Sequence, residues 1–328
     1  MARDLTPESI QRTARNFTEA RLLLTGVELD LFTMLAAGSL SASEITARLG
    51  SDLRATSILL DALTALGYLA KDKDLYRTEP SVTAFLCNGT PESILPGLRH
   101  TAHLWSTWSQ LTDVVLEGGP ARVVKVNRED YVRAFIGAMH VRALRDASDL
   151  VESVSPGEAR ALLDVGGGAG SYAIAFLEAV PAMSATVFDL PEVIEMAREY
   201  VSEAGLLGRV QLVAGDYRED ALPPGHDLAL LSAIIHQNSH GQNLALYRKV
   251  FDALDPGGRI VIRDYVMSPD RTEPASGAVF AVNMLVNTEG GNSYTFDEIR
   301  DGLTEAGFER VRSAPDREMS TLVEAYRP

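Results

Sequence analysis

The sequence predicts an α/β protein in two domains, a helical N-terminal domain followed by a doubly wound sheet. Three observations predict it. Up to about residue 155 the apolar residues recur at helical spacing. Beyond it, "RALLDVGG", "ATVFDL", "RVQLVAGD", "DLALLSAII" and "RIVIRDYVM" are short apolar runs separated by helix-length amphipathic stretches, the pattern of strands covered on both faces. A chain of 328 residues, 46% hydrophobic and 23% charged, is also long enough for two cores.

Taken in order, "FTEARLLLTGVELDLFTMLAAG" (Phe17 to Gly38) reads as a helix ended by Gly38. Ser41 and Glu44 have the capping-box spacing, worth about 1 kcal/mol at the cap, and open a second helix that Gly50 stops. "LRATSILLDALTALGYL" is a third helix, ending at Gly67, and "AKDKDLYRTE" is a charged hairpin. Helix, helix, helix, hairpin is the order of a winged helix, whose third helix reads DNA in a regulator. Between Ser51 and Ala70 the only basic residue is Arg54, offset by Asp52 and Asp61, so packing is expected there instead of DNA readout. The divisions are residues 1–100, a winged-helix-like domain; 101–155, a helical linker; and 156–328, the sheet domain.

In the linker, Trp105, Trp108, Leu111 and Val115 fall at helical intervals, as do Phe135, Met139 and Arg142. Such stripes report burial first, yet a position between two domains also suits a pocket wall, and both readings stand. "PPGH" and "DPGG" read as single turns, and "SPDRTEPASG" as a polar loop.

Composition excludes several classes. With 45 acidic against 30 basic residues the net charge is -15, which repels nucleic acid. Cys87 is the only cysteine, so no intramolecular disulfide forms, and no apolar run approaches the roughly 18 residues of a membrane span. "MARDLTPESI" lacks the apolar core of a signal peptide, and a cytoplasmic location is expected.

"LLDVGGGAGSYAIAFL" ends a strand in Asp164, turns through Gly166, Gly167, Gly168 and Gly170, and enters a helix. A dinucleotide fold wants G-x-G-x-x-G at this place; here the third position falls on Ser171, and Gly170 makes G-x-G-x-G instead. An acid before the loop sits badly against a diphosphate but suits a ligand that carries an ammonium and a sulfonium charge, which describes S-adenosyl-L-methionine. Asp189, in "VFDLP", stands where an acid accepts from both ribose hydroxyls, and Asp216, in "AGDY", where one accepts from the adenine amino group with Tyr217 beside the ring. Leu190 and Ser232 complete the expected cofactor set. Each acid alone reads equally well as a strand-end or cap residue; loop, acid and acid at three successive strand ends are what specify the ligand.

With these motifs, and with "PPGHDLALLSAIIHQ", "LDPGGRIVIRDYVM" and "NMLVNTEGGNSYTFDEIRDGLTEAGF", nearly the whole chain resembles the two-domain class I S-adenosylmethionine-dependent O-methyltransferases of the plant caffeate and acetylserotonin type and their bacterial antibiotic-pathway relatives. The resemblance implies a Rossmann-like catalytic domain, an N-terminal dimerisation module, a homodimer and S-adenosylhomocysteine as product. It also implies a small-molecule acceptor, aromatic or polyketide-like, methylated at a hydroxyl. The family's base is a histidine after the fourth strand, which falls on His236, and a carboxylate orienting it falls on Asp264. Met139, His140, Asn283, Met284 and Asn287 are pocket positions by the resemblance, and Trp105 and Phe135 join them from the linker stripes.

The pattern breaks in two places. The family commonly follows its histidine with D-W-x-D, whereas Gln237, Asn238, Ser239 and His240 follow here, and Ser293 stands where several members carry a second glutamate. Ser239 and Gln242 repeat the capping-box spacing, so a helix starts at His240 and the turn has no need of a histidine at 236. His236 and His240 straddle that helix start, so no metal site is expected. Two further readings stay open at this stage: a cofactor-binding relative with altered chemistry (C-methylation, hydroxylation, decarboxylation or a pericyclic step), and a metabolite-sensing regulator.

Overall fold

In the computed structural model the described residues are 5–90, 92–122, 127–315 and 321–328. The chain divides into two units, Met1–Trp105 and Ser106–Pro328. The segment from 106 to 155, expected as a separate linker, belongs to the second.

The first unit runs α1 (Pro7–Glu28), α2 (Leu31–Ala36), β1 (Leu40–Ser41), α3 (Ala42–Leu49), α4 (Leu53–Ala65), β2 (Leu69–Asp72), β3 (Leu75–Thr78), α5 (Pro80–Leu86) and most of α6 (Leu95–Trp108). The stretch expected as one helix from Phe17 is broken between Glu28 and Leu31, because Asp30 takes the left-handed conformation (φ 51°) and its carboxylate accepts from the Thr33 hydroxyl at 2.8 Å. The Ser41–Glu44 capping box forms as expected, and Gly50 closes α3 at φ 64°. An antiparallel sheet in the order β1-β3-β2 packs with α1 to α5 around Phe32, Leu35, Ile45, Leu60 and Leu63.

The second unit opens with α7 (Leu111–Glu117) and the long α8 (Arg128–Val154), then alternates β4 (Ala161–Val165), α9 (Ser171–Ala179), β5 (Ser184–Asp189), α10 (Pro191–Glu203), β6 (Val210–Ala214) and β7 (His226–Ser232). A 3₁₀ turn (Ile235–Gln237) leads to α11 (His240–Ala253) and β8 (Leu254–Asp264), which takes in the Asp255–Gly258 stretch expected as a turn, with Gly257 at φ 84°. After β9 (Val266–Met267) come α12 (Ala275–Asn287), β10 (Tyr294–Thr295), α13 (Phe296–Glu305), β11 (Glu309–Pro315) and β12 (Thr321–Tyr326).

The main sheet has seven strands in the order β11-β12-β8-β7-β4-β5-β6. It is mixed, because β12 runs antiparallel to β8 and β11 antiparallel to β12. Alternation along each central strand divides the core in two. Leu163, Ala229, Leu231, Ile260 and Ile262 pack on α11 and α13, whereas Leu162, Val187, Leu228, Leu230 and Val261 pack on α9 and on Leu150 and Val151 of α8. Strand order reverses between β4 and β7, where the crossover helices part to opposite faces and leave a crevice past the carboxyl ends.

A second short pairing, β9 parallel to β10, brings the loop at 288–293 onto the turn that follows β7. There the Asn292 amide donates to the carbonyl of His236 at 2.9 Å. The approach is close because residues 290 and 291 are glycines: a Cβ on Gly291 would lie 2.4 Å from the His236 carbonyl oxygen, and one on Gly290 would lie 2.8 Å from Ser239 Cβ. Among the described residues no helix is long and apolar enough to cross a membrane. The Gly291→Ala variant is expected to lose about 1–3 kcal/mol, because its clash is with backbone that has nowhere to retreat, and urea unfolding measures it.

Candidate active site

The site is built from the ends of β4, β5, β7 and β8. Asp164, on β4, is 1% exposed, and its Oδ2 has no hydrogen-bond partner among the described residues. Burial, reinforced by the charge of Asp189, pushes this carboxyl up to about 7. The glycine loop folds round it. Gly166 (φ 66°) donates to the Phe188 carbonyl at 2.7 Å, and a Cβ on Gly167 would come within 2.8 Å of the Asp164 carboxylate. Gly168 (φ 57°) donates to Asp189 Oδ2 at 2.8 Å, and Leu190 donates to Oδ1 at 2.7 Å. Burial still holds the Asp189 carboxyl above its usual range against those two amides. Gly170 (φ 74°), expected to face the ligand, is not on the cavity wall. It caps α9, and a Cβ there would press on Val201 and Val187, so its part is close packing of helix on strand.

Asp216 lines the cavity, but its carboxylate is engaged at both oxygens by the guanidinium of Arg218, at 3.1 and 2.9 Å, which holds it below the usual range. Tyr217 also lines the cavity, and its hydroxyl donates to Asn238 Oδ1 at 3.3 Å. Ser232 ends β7 on the same wall and bonds to Tyr172.

His236 sits in the 3₁₀ turn after β7. Its Nδ1 lies 2.9 Å from both carboxylate oxygens of Asp264, the last residue of β8, and both side chains are buried. The backbone amide of Tyr265 donates to Asp264 Oδ1 at 2.8 Å, which fixes the carboxylate in turn. The ring of Phe280 on α12 packs nearly perpendicular to the imidazole, with centroids 4.7 Å apart and planes at 87°. The remaining nitrogen, Nε2, has no partner among the described residues, and His236 is on the cavity wall.

The residues that replace the family's run have structural work of their own. Asn238 is buried, taking the Tyr217 hydroxyl and donating to Asn243 Oδ1 at 3.1 Å. Ser239 caps α11 in a capping box with Gln242. His240 stacks on Tyr294 and lies 3.6 Å from Glu298, and among the described residues no group could hold a metal ion. Ser293 is buried and donates to the Gly277 carbonyl at 2.9 Å, so it makes no substitute acid.

The cavity these groups share has a volume of about 590 Å³. Of the expected pocket residues, Phe135, Met139, His140 and Asn287 line it. His140 borders the glycine loop, with Nδ1 2.8 Å from Ser171 Oγ and its ring stacked on Tyr200 at 4.1 Å, and burial lowers its pKa. Three expectations are corrected. Met284 is buried in the core; Asn283 stands behind the wall, bonded to Trp108 and Asn287; and Trp105 belongs to the first unit, against Phe17 and Arg21.

Sequence reading missed Arg263, Tyr172 and Asp146. The Arg263 guanidinium donates to the Tyr172 hydroxyl and to Asp146 Oδ2, both at 2.6 Å, tying α8 to β8 beside Asp264. An arginine inside the apolar run "RIVIRDYVM" was the available signal. It also missed Phe280, Tyr265 and Glu289, which line the cavity from α12 and from the segments before and after it.

The cavity therefore fits the zwitterionic, cationic ligand inferred from the loop. A buried carboxylate with one unmet oxygen suits an ammonium, and the spare lone pairs of Asp189 suit a diol, whereas a diphosphate would meet two acids. The O-methyltransferase domain matches residues 108–309 and the O-methyltransferase dimerisation domain residues 12–87. The 3-hydroxy-5-methyl-1-naphthoate 3-O-methyltransferase of Streptomyces sahachiroi is 33% identical over 317 residues, covering 94% of this chain and 91% of that protein. The N,N-dimethyltransferase OxyT of Streptomyces rimosus is 32% identical, covering 93% and 91%. The solved structure of PigF with SAH superposes with a TM-score of 0.88 at 28% identity, over 98% of this chain and all of the other. Matched in both domains and to its relatives nearly end to end, the chain belongs to the S-adenosylmethionine-dependent O-methyltransferase family.

Proposed function

We propose that this enzyme methylates a hydroxyl of a small aromatic or polyketide-like metabolite, with His236 as general base and Asp264 as the residue that orients it. One observation carries the reading: a buried imidazole pinned at Nδ1 by a carboxylate, on the wall of a cavity that is also lined by the glycine loop. Phe135, Met139, Phe280 and Tyr265 give that cavity flat and apolar walls, with the Tyr265 and Phe280 rings 4.7 Å apart and tilted by 35°. The naphthoate methyltransferase among the relatives agrees with an aromatic acceptor. The matched dimerisation domain supports a homodimer built on the first unit.

Asp164 would hold the ammonium of the cofactor, Asp189 its ribose hydroxyls, and Tyr217 and Ser232 would bound the rest. Bound there, S-adenosylmethionine supplies an electrophilic methyl group on a sulfonium sulfur. The protein's part is to align the acceptor oxygen and to take its proton. The proton passes to His236 Nε2, and the imidazolium so formed keeps its Nδ1 proton shared with Asp264. Asp264 thus sets the tautomer and offsets the new charge. Because OxyT is an N,N-dimethyltransferase, the acceptor atom is read from the product, by mass and by the position of the new methyl group.

The His236→Ala variant is expected to lose on the order of 100- to 10,000-fold in kcat while its affinity for S-adenosylhomocysteine stays constant; an unchanged kcat would remove the histidine from the mechanism. Cofactor affinity should depend on pH through Asp164. Its carboxyl, at about 7, must be ionised to meet an ammonium, so below that pH binding has to expel a proton. Between pH 8 and pH 6 the Kd for S-adenosylhomocysteine should rise by about 10-fold, and Asp164→Asn should bind more weakly with a flat profile. A flat wild-type profile would dismiss Asp164 as the ammonium partner.

A further inference from the structure

We infer that Asn287 reads a hydrogen-bond donor on the acceptor, a hydroxyl or amino group other than the one that is methylated. This rests on the proposed use of the cavity as an aromatic acceptor site. Its basis is a chain of hydrogen bonds that cannot be reversed. The indole Nε1 of Trp108 only donates, so the Asn283 side-chain atom 2.8 Å from it is the carbonyl Oδ1. The backbone carbonyl of Asn283 only accepts, so the Asn287 atom 2.8 Å from it is the amide nitrogen Nδ2, which also lies 3.0 Å from Asn283 Oδ1. Obligate partners thus assign both amides, where amide orientation is otherwise a matter of choice.

The other end of the Asn287 amide follows. Asn287 lies on the cavity wall, and its Oδ1 has no partner among the described residues. A half-buried carbonyl held rigidly in this way accepts a hydrogen bond from a ligand that offers one and is left unsatisfied by a ligand that does not. The neighbouring wall offers nothing to change that preference. Thr288 Oγ1 is consumed, donating to the Met284 carbonyl at 2.7 Å and accepting from the Gly291 amide at 2.9 Å, and Glu289 adds a carboxylate. The side chains of this stretch of wall offer a ligand acceptors and no free donor, so the acceptor molecule carries at least one donor besides its reacting hydroxyl.

Calorimetric titration of the full-length protein, saturated with S-adenosylhomocysteine, tests this with 1-naphthol and the isomeric dihydroxynaphthalenes as probes. At least one dihydroxy isomer should bind roughly 5- to 10-fold more tightly than 1-naphthol. Asn287→Leu, of similar volume and without an acceptor, should bring that ratio to about 1, and Trp108→Phe, which removes the anchor of Asn283, should bring it part of the way. Retained affinity for S-adenosylhomocysteine shows that each variant is folded. A ratio that survives in Asn287→Leu, or a wild type in which no dihydroxy isomer gains over 1-naphthol, overturns the inference. If the wild type takes S-adenosylhomocysteine but no naphthol at all, the aromatic-acceptor reading itself is overturned and the inference falls with it.

Discussion

The reversal of strand order between β4 and β7 is the constraint on which the rest of the site depends. Right-handed crossovers send α9 and α10 to one face and α11 to the other, so no helix closes over the two central strand ends. The polypeptide must still leave those strands, and it does so through the glycine loop on one side and the His236 turn on the other. The glycine loop and His236 are neighbours because their strands are paired, Asp164 opposite Leu230. Residues remote in sequence reach the same crevice only because the sheet brings β8 alongside β7.

That crevice concentrates charge where burial is costly. Raising the Asp164 carboxyl from 3.8 to about 7 costs on the order of 4 kcal/mol with the group ionised. The cost is fully present above pH 7 and absent below 3.8, where the group is protonated in both folded and unfolded chains. The proposed ammonium partner of Asp164 would offset it, so a carboxylate placed for binding is held there at the expense of stability. His236 and Asp264 face the same penalty and meet it with each other. Arg263 is answered by Asp146 and Tyr172, and the arrangement ties α8, which supplies Phe135, Met139 and His140 to the wall, to the strand that ends in Asp264. Losing one partner of such a group would leave a buried charge uncompensated.

The departures from the family's usual run lie around the histidine, and they are accounted for locally. Asn238 and Ser239 make the turn and the cap, and Gly290 and Gly291 let a second loop lie flush on the same backbone. The glycine pair keeps a purpose, close approach, even though Ser293, two residues after it, carries no acid.

Local chemistry was legible in the sequence. Strand ends, capping boxes at Ser41 and Ser239, the positive-φ glycines and the order of loop, acid and acid depend on residues a few positions apart, and the chain's own periodicity reports them. The placement of Asp164, Asp189 and His236 at one end of one sheet follows from that order and from the handedness of crossovers. What escaped was decided by packing between distant elements. Gly170 and Met284 turned from ligand to core, Asp216 was claimed by Arg218, and Arg263 found Asp146 across 117 positions. A residue's type and local period give the face it presents; which partner waits on that face depends on the tertiary fold, and for a buried polar group the partner determines the role.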